Sequence, residues 1–202
     1  MPNAGAPDSD RLKDEAALVA RLAAREEAAL REAIEQYASQ LHRIAYRMMG
    51  DPHEAEDIAQ ETMLRLWDHA PRLIAKNSDA SLRLAAWLKR VAINLSYDRL
   101  RIRQRISTGE VPERVDEAAS ADARIEANEA QQRARNLVAA LPERQRAAIV
   151  LTYYEEMPNS EAASVLDMRL KAFESLLHRA RAALRKAVAE AERSMLDQGG
   201  EV

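Results

Sequence analysis

Five side chains near the C-terminus, Arg169 and Lys171 at the entry turn of an expected helix and Ser175, His178 and Arg179 one to three turns on, combine two kinds of hydrogen-bonding chemistry. Arg and Lys donate to guanine O6 and N7 or to phosphate, and Ser and His reach either. They open a cationic segment, residues 169–186, with six Lys/Arg against one acid, Glu174. A carboxylate there has two open readings: it accepts from cytosine N4 or it repels phosphate. A second cationic segment, residues 83–105, has seven Lys/Arg against one acid. There Lys89, Arg90, Asn94, Asp98, Arg99, Arg101 and Arg103 are interleaved with Trp87 and Tyr97. Arg side chains that track a backbone beside aromatics on which bases stack suit single-stranded DNA. Trp87 is either core or stacking platform, and Asn94 either a surface amide or a base contact. Equally open is the reading in which both segments are solvated faces of amphipathic helices.

Other chemistry has little to stand on. His42, His53, His69 and His178 lack the close His/Asp/Glu spacing of a metal site. No glycine-rich phosphate loop and no activated nucleophile is present, so neither enzyme activity, nor a cofactor, nor a small-molecule substrate is expected. Without cysteine there is no disulfide scaffold and no thiolate site. No apolar run is long enough to cross a bilayer, and the expected location is cytoplasmic. The formal net charge is only −3, so it is the segregation of charge that points to a polyanion. Between the two basic segments, residues 106–129 carry seven acids and two Arg.

The elements that must position these residues are helices. The chain has 47% hydrophobic residues, rich in Leu and Ala, with 4% aromatics and five glycines, so the expected fold is all-α. After a disordered leader at 1–10, a short helix over 11–25 precedes a longer one from residue 26, with Leu30, Ile34, Tyr37, Leu41, Ile44 and Met48 on one stripe. Gly50 is the expected C-cap and Pro52 the first turn of a third helix, closed by Pro71. Its acids Glu54, Glu56, Asp57 and Glu61 suit the positive end of the helix dipole. A fourth helix buries Leu84, Leu88, Val91 and Leu95, completing a four-helix domain over 11–105. The linker 106–129 leads to a helix-turn-helix domain over 130–195, followed by a flexible tail at 196–202. There Asn159 or Ser160 is the expected cap of a short helix, Asp167-Met168 the turn, and Phe173, Leu176, Leu177, Ala180, Leu184 and Val188 the inward face of a long basic helix.

Three stretches carry a family resemblance: DPHEAEDIAQETMLRLW at 51–67, WLKRVAINLSYDR at 87–99, and LPERQR at 141–146 continuing to HRARAALR at 178–185. In this order they resemble bacterial RNA polymerase sigma factors of the extracytoplasmic-function group within the sigma-70 family. The resemblance implies an alternative sigma factor that binds core RNA polymerase, directs it to promoter DNA and helps melt the minus-ten region. Glu56, Asp57, Gln60 and Glu61 would contact the polymerase clamp helices. Lys89, Arg90, Asn94, Asp98, Arg99, Arg101 and Arg103 would engage the minus-ten strand, with the loop at 77–81 contributing to a base pocket. Arg169, Lys171, Ser175, His178 and Arg179 would read the minus-thirty-five element. An anti-sigma factor, membrane-bound or soluble, would restrain the protein until a stress signal. The chain departs from the family in two places. Asp167-Met168 stands where the turn commonly has Gly, and Ala172-Phe173-Glu174-Ser175 replaces a common Thr-Val-Lys-Ser, which puts an acid at the lysine position. A dimeric helix-turn-helix regulator would explain residues 142–186 but leave the acidic helix and the Trp87 strip without a task. A helical adaptor with solvated basic faces would use neither.

Overall fold

A computed structural model describes residues 6–76, 83–107 and 127–198. All regular elements among them are helical: α1 (Ala6–Ala23), α2 (Glu27–Met49), α3 (Pro52–Lys76), α4 (Leu84–Ser107), α5 (Ala127–Ala139), α6 (Glu143–Ile149) with a π-helical continuation (Val150–Tyr154), α7 (Asn159–Val165) and α8 (Leu170–Gln198). The chain divides into two compact units, Met1–Tyr46 with Asp51–Leu95, and Arg47–Gly50 with Ser96–Val202. This division falls within α4. Residues 108–126, most of the expected linker, and the 77–81 loop lie outside the described residues.

In the first unit α1 packs on α3, and Leu18, Val19 and Leu22 of α1, Ile58 and Leu66 of α3, and Leu84 and Leu88 of α4 are all buried. The first helix begins at Ala6, inside the stretch expected to be a leader, because each residue added to an existing helix gains one backbone bond. It ends with Arg25 at φ 63°, where a glycine is usual. The amides of Arg25 and Glu26 return to the carbonyls of Leu22 (3.0 Å) and Arg21 (3.1 Å), a Schellman closure. Gly50, at φ 73°, ends α2 as the sequence suggests. Asp51 Oδ1 then accepts from the amides of His53 (2.9 Å) and Glu54 (3.1 Å), capping α3.

Pro71 does not close α3, which runs on to Lys76. A proline inside a helix leaves the carbonyl four residues earlier without its amide donor. That carbonyl belongs to Trp67, and Arg25 Nη1 donates to it at 2.9 Å while its guanidinium lies 5.0 Å from the Trp67 ring centroid. A tertiary donor therefore replaces the missing one. The first amide of α4 is also satisfied from a distance: Leu84 N–H donates to the buried carboxylate of Glu15 at 2.6 Å.

In the second unit α5, α6 and α7 pack on α8. Phe173, Leu176, Leu177 and Ala180 are buried, as are Ile149, Val150 and Leu151 opposite. Full burial of a residue such as Phe173 contributes about 1.5–3 kcal/mol. The inward face ends at Ala180: Leu184 is half-buried and Val188 is 39% exposed. The apolar pattern there outruns the elements that α5–α7 provide to cover it. Neither Asn159 nor Ser160 caps α7; Pro158 occupies the N-cap position without a side-chain bond. Arg146 is buried and donates through Nη2 to the carbonyls of Ala139 and, at 3.2 Å, Leu141. It thereby satisfies the end of α5, and desolvation lowers its pKa from the usual value.

Candidate nucleic-acid and protein interfaces

The turn before α8 is built by backbone geometry. Asp167 takes φ 54°, and the amides of Asp167 and Met168 bond the carbonyls of Ser164 (3.3 Å) and Ala163 (2.9 Å). This is the same Schellman closure that ends α1, with Asp accepting the left-handed conformation that glycine adopts more easily. Arg169 follows as the last residue before α8, and its carbonyl accepts from the amides of Ala172 (2.9 Å) and Phe173 (3.0 Å). The turn aims the first residues of α8 outward while Phe173 anchors the helix.

Opposite the buried row, Lys171, Glu174, Ser175, His178 and Arg179 are all exposed and line one shallow depression. Their three- and four-residue spacing puts them on one helical face. Ser175 Oγ donates to Lys171 O at 2.9 Å, and Arg179 Nε to Ser175 O at 3.3 Å, so both side chains lie along the helix surface. Arg169 is exposed at the entry to this face. Farther along, Arg181 lies over the Tyr153 ring at 5.4 Å, and Lys186 pairs with Glu190 at 3.7 Å. Four of the sequence-derived residues, Lys171, Ser175, His178 and Arg179, thus share one face, and Arg169 stands apart from it, ahead of the helix.

The basic segment of α4 behaves differently. Trp87, Arg90, Asn94, Asp98 and Arg101 recur at three or four residues and share a face. Asn94, Asp98 and Arg101 are exposed, while Trp87 and Arg90 are half-buried, with the Trp87 ring tilted 43° to that of His69 at 6.3 Å. Lys89, Arg99 and Arg103 belong to another row, which includes the buried Ala92 and Ser96. Lys89 itself is only 9% exposed, so it does not join the expected strip. Its register places it beside the core residues Leu88 and Ile93, and register decides burial before charge does. Arg99 is half-buried, and Arg103, past the last core turn, is exposed. The Tyr97 hydroxyl is buried without a hydrogen-bond partner, and burial pushes its pKa up to about 12.

The acidic residues of α3 lie on its outer face. Glu56, Asp57 and Gln60 are exposed and Glu61 half-buried. Gln60 Nε2 donates to Glu56 at 3.2 Å, and Arg65 Nε pairs with Glu61 at 2.9 Å. Beside this strip runs a groove of about 790 Å³ between α2 and α3, lined by apolar residues that include Leu30, Ile34, Met63 and Leu64, with Glu56, Gln60, His42 and Arg43 at its edges. Ile34 and Leu64 are 42% and 59% exposed. Sequence reasoning assigned Ile34 to the core and passed over Leu64. The available signal was Leu64 standing four residues after Gln60, an apolar side chain on the acidic face.

Among the described residues no His/Asp/Glu cluster could hold a metal, and no helix is long and apolar enough to cross a membrane.

Residues 33–106 match the Sigma-70 region 2 family, and residues 131–184 match Sigma-70, region 4. The chain is 29% identical over 178 residues to the ECF RNA polymerase sigma factor SigW of Bacillus subtilis, an alignment covering 78% of this chain and 88% of that protein. To the ECF RNA polymerase sigma factor SigL of Mycobacterium tuberculosis it is 33% identical over 175 residues, covering 86% and 97%. Among solved structures, CnrH in complex with the cytosolic domain of CnrY is similar with a TM-score of 0.63 at 24% identity, covering 87% of this chain and 97% of that one. The sigma factor RpoE in complex with the anti-sigma factor NepR from Bartonella quintana gives 0.61 at 21% identity, covering 79% and 96%. Both structural likenesses concern the fold.

Proposed function

Because the chain belongs to the extracytoplasmic-function sigma factors of the sigma-70 family, we propose that it binds core RNA polymerase, recruits it to two-part promoters and stabilises the melted minus-ten region. The observation that carries this reading is the exposed polar face of α8, set against the buried row of Phe173, Leu176, Leu177 and Ala180 and preceded by a tight turn. That arrangement lets the first turns of α8 enter a major groove while the rest of the unit stays outside.

Residues 11–105 and 130–195 are the two working modules. Glu56, Asp57, Gln60 and Glu61 supply an acidic rim for the polymerase clamp, and the adjacent groove offers the apolar centre that protein interfaces favour. Arg90, Asn94, Asp98 and Arg101 follow the non-template strand, with Trp87 at the end of the same face. Arg99 and Arg103 approach from the flank. Arg169, Lys171, Ser175, His178 and Arg179 hold the minus-thirty-five duplex. Unpairing a base costs a few kcal/mol, which stacking and phosphate contacts offset. Both modules act on one polymerase, so the second contact gains from effective concentration. No step asks the protein's own side chains for bond-making chemistry, so the protein is an initiation factor and not an enzyme, and it works in the cytoplasm. An anti-sigma factor holds it in reserve until a signal arrives.

Charge reversal by D57K with E61K tests the polymerase contact. Affinity for purified core enzyme should fall by at least about tenfold, the scale of a few lost interface charges, with helical content unchanged. Unaltered affinity would remove this face from the interface.

A further inference from the structure

Glu174 is the one acid on the α8 reading face. It is exposed, with Lys171 three residues before it and His178 four after. Neither takes it as a partner: no ion pair or hydrogen bond joins its carboxylate to another described residue. Elsewhere the carboxylates of Glu27, Glu61 and Glu190 do pair with a basic neighbour one helical turn away. The carboxylate stands in the second turn of α8, which begins at Leu170, and the N-terminal turns of a recognition helix meet base edges rather than phosphates.

An ionised carboxylate only accepts hydrogen bonds. In the major groove the bases donate from cytosine N4 and adenine N6, and adenine sets its N7 acceptor beside N6, whereas guanine presents acceptors alone. A glutamate on this face is therefore matched to cytosine and opposed to guanine, while Lys171 and Arg179 on either side offset its repulsion from the backbone.

We infer that Glu174 is a base-reading residue that selects cytosine at one position of the minus-thirty-five element. The inference rests on the promoter-binding role of α8 proposed above. The test is selection of bound duplexes, randomised across that element, by core polymerase reconstituted with the full chain as wild type, E174A or E174Q. Wild type should enrich cytosine at one position. E174A should lose about tenfold discrimination there and nowhere else, and E174Q should move the preference at that position toward adenine, which glutamine reads through N6 and N7. Unchanged base preference in both variants overturns the assignment. So does a uniform rise in affinity across all sequences, the mark of a carboxylate that merely repels phosphate. If wild type enriches no sequence across the element, the promoter-reading role of α8 itself fails, which separates that failure from an error about Glu174.

Discussion

The basic segments of α4 and α8 look alike in linear sequence and differ in space. On α8 the apolar residues Phe173, Leu176, Leu177 and Ala180 are buried as one row, which leaves Lys171, Ser175, His178 and Arg179 together on the other side. On α4 the charges split between an open face, with Arg90 and Arg101, and a row that begins with the buried Lys89. Charge counted along a window measures how much cation a helix carries. Register against the core decides how much of it a polyanion can reach.

Reversing charge on the uniform face should have the largest effect. K171E with R179E is expected to weaken binding of holoenzyme to minus-thirty-five duplex by at least about a hundredfold at moderate salt and to flatten the salt dependence by about one unit per lost phosphate contact. Fluorescence anisotropy across a salt series reads both, and an unchanged slope would make α8 no better than a solvated helix.

The split face of α4 predicts an asymmetry. R90A with R101A should reduce open-complex formation by about tenfold, a loss of the size expected for two cationic contacts, as followed by permanganate reactivity of the minus-ten strand. K89A should instead lower thermal stability by about 1–3 kcal/mol through lost packing, with the salt dependence of promoter binding kept. If K89A flattens that dependence as much as R101A does, the two-row description of α4 is wrong.

The smallest effect is expected at the turn that aims α8. D167G relieves a non-glycine residue at φ 54°, and the gain, partly offset by a more flexible unfolded chain, should stabilise the protein by no more than about 1 kcal/mol in urea unfolding. Destabilisation would show that the Asp167 side chain contributes something beyond its backbone conformation.

What the sequence made legible follows the same distinction. Gly50, Pro52 and the Phe173–Ala180 pattern mark helix ends and a buried face through local rules, and they stand where those rules place them. Pro71 could not be read locally, because the donor that lets α3 continue is Arg25, more than forty positions earlier. Asp167 left open whether the turn uses positive φ, since Asp tolerates it without requiring it. Lys89 was misplaced because a long amphipathic side chain can lie beside the core, and composition does not show which row it occupies. The groove beside Glu56 and Gln60 was missed because Ile34 fits an apolar stripe whether or not a neighbour covers it.

The central claim is that the two cationic helices serve one initiation event, α8 on duplex and α4 on melted strand. Run-off transcription with purified core polymerase, on templates carrying the upstream sequences that the holoenzyme selects, tests it most directly. Specific initiation should appear only with the protein added, and should fall by about tenfold or more with either K171E/R179E or R90A/R101A. Duplex binding without initiation on every such template would contradict the account and leave α8 as the reading helix of an ordinary DNA-binding regulator.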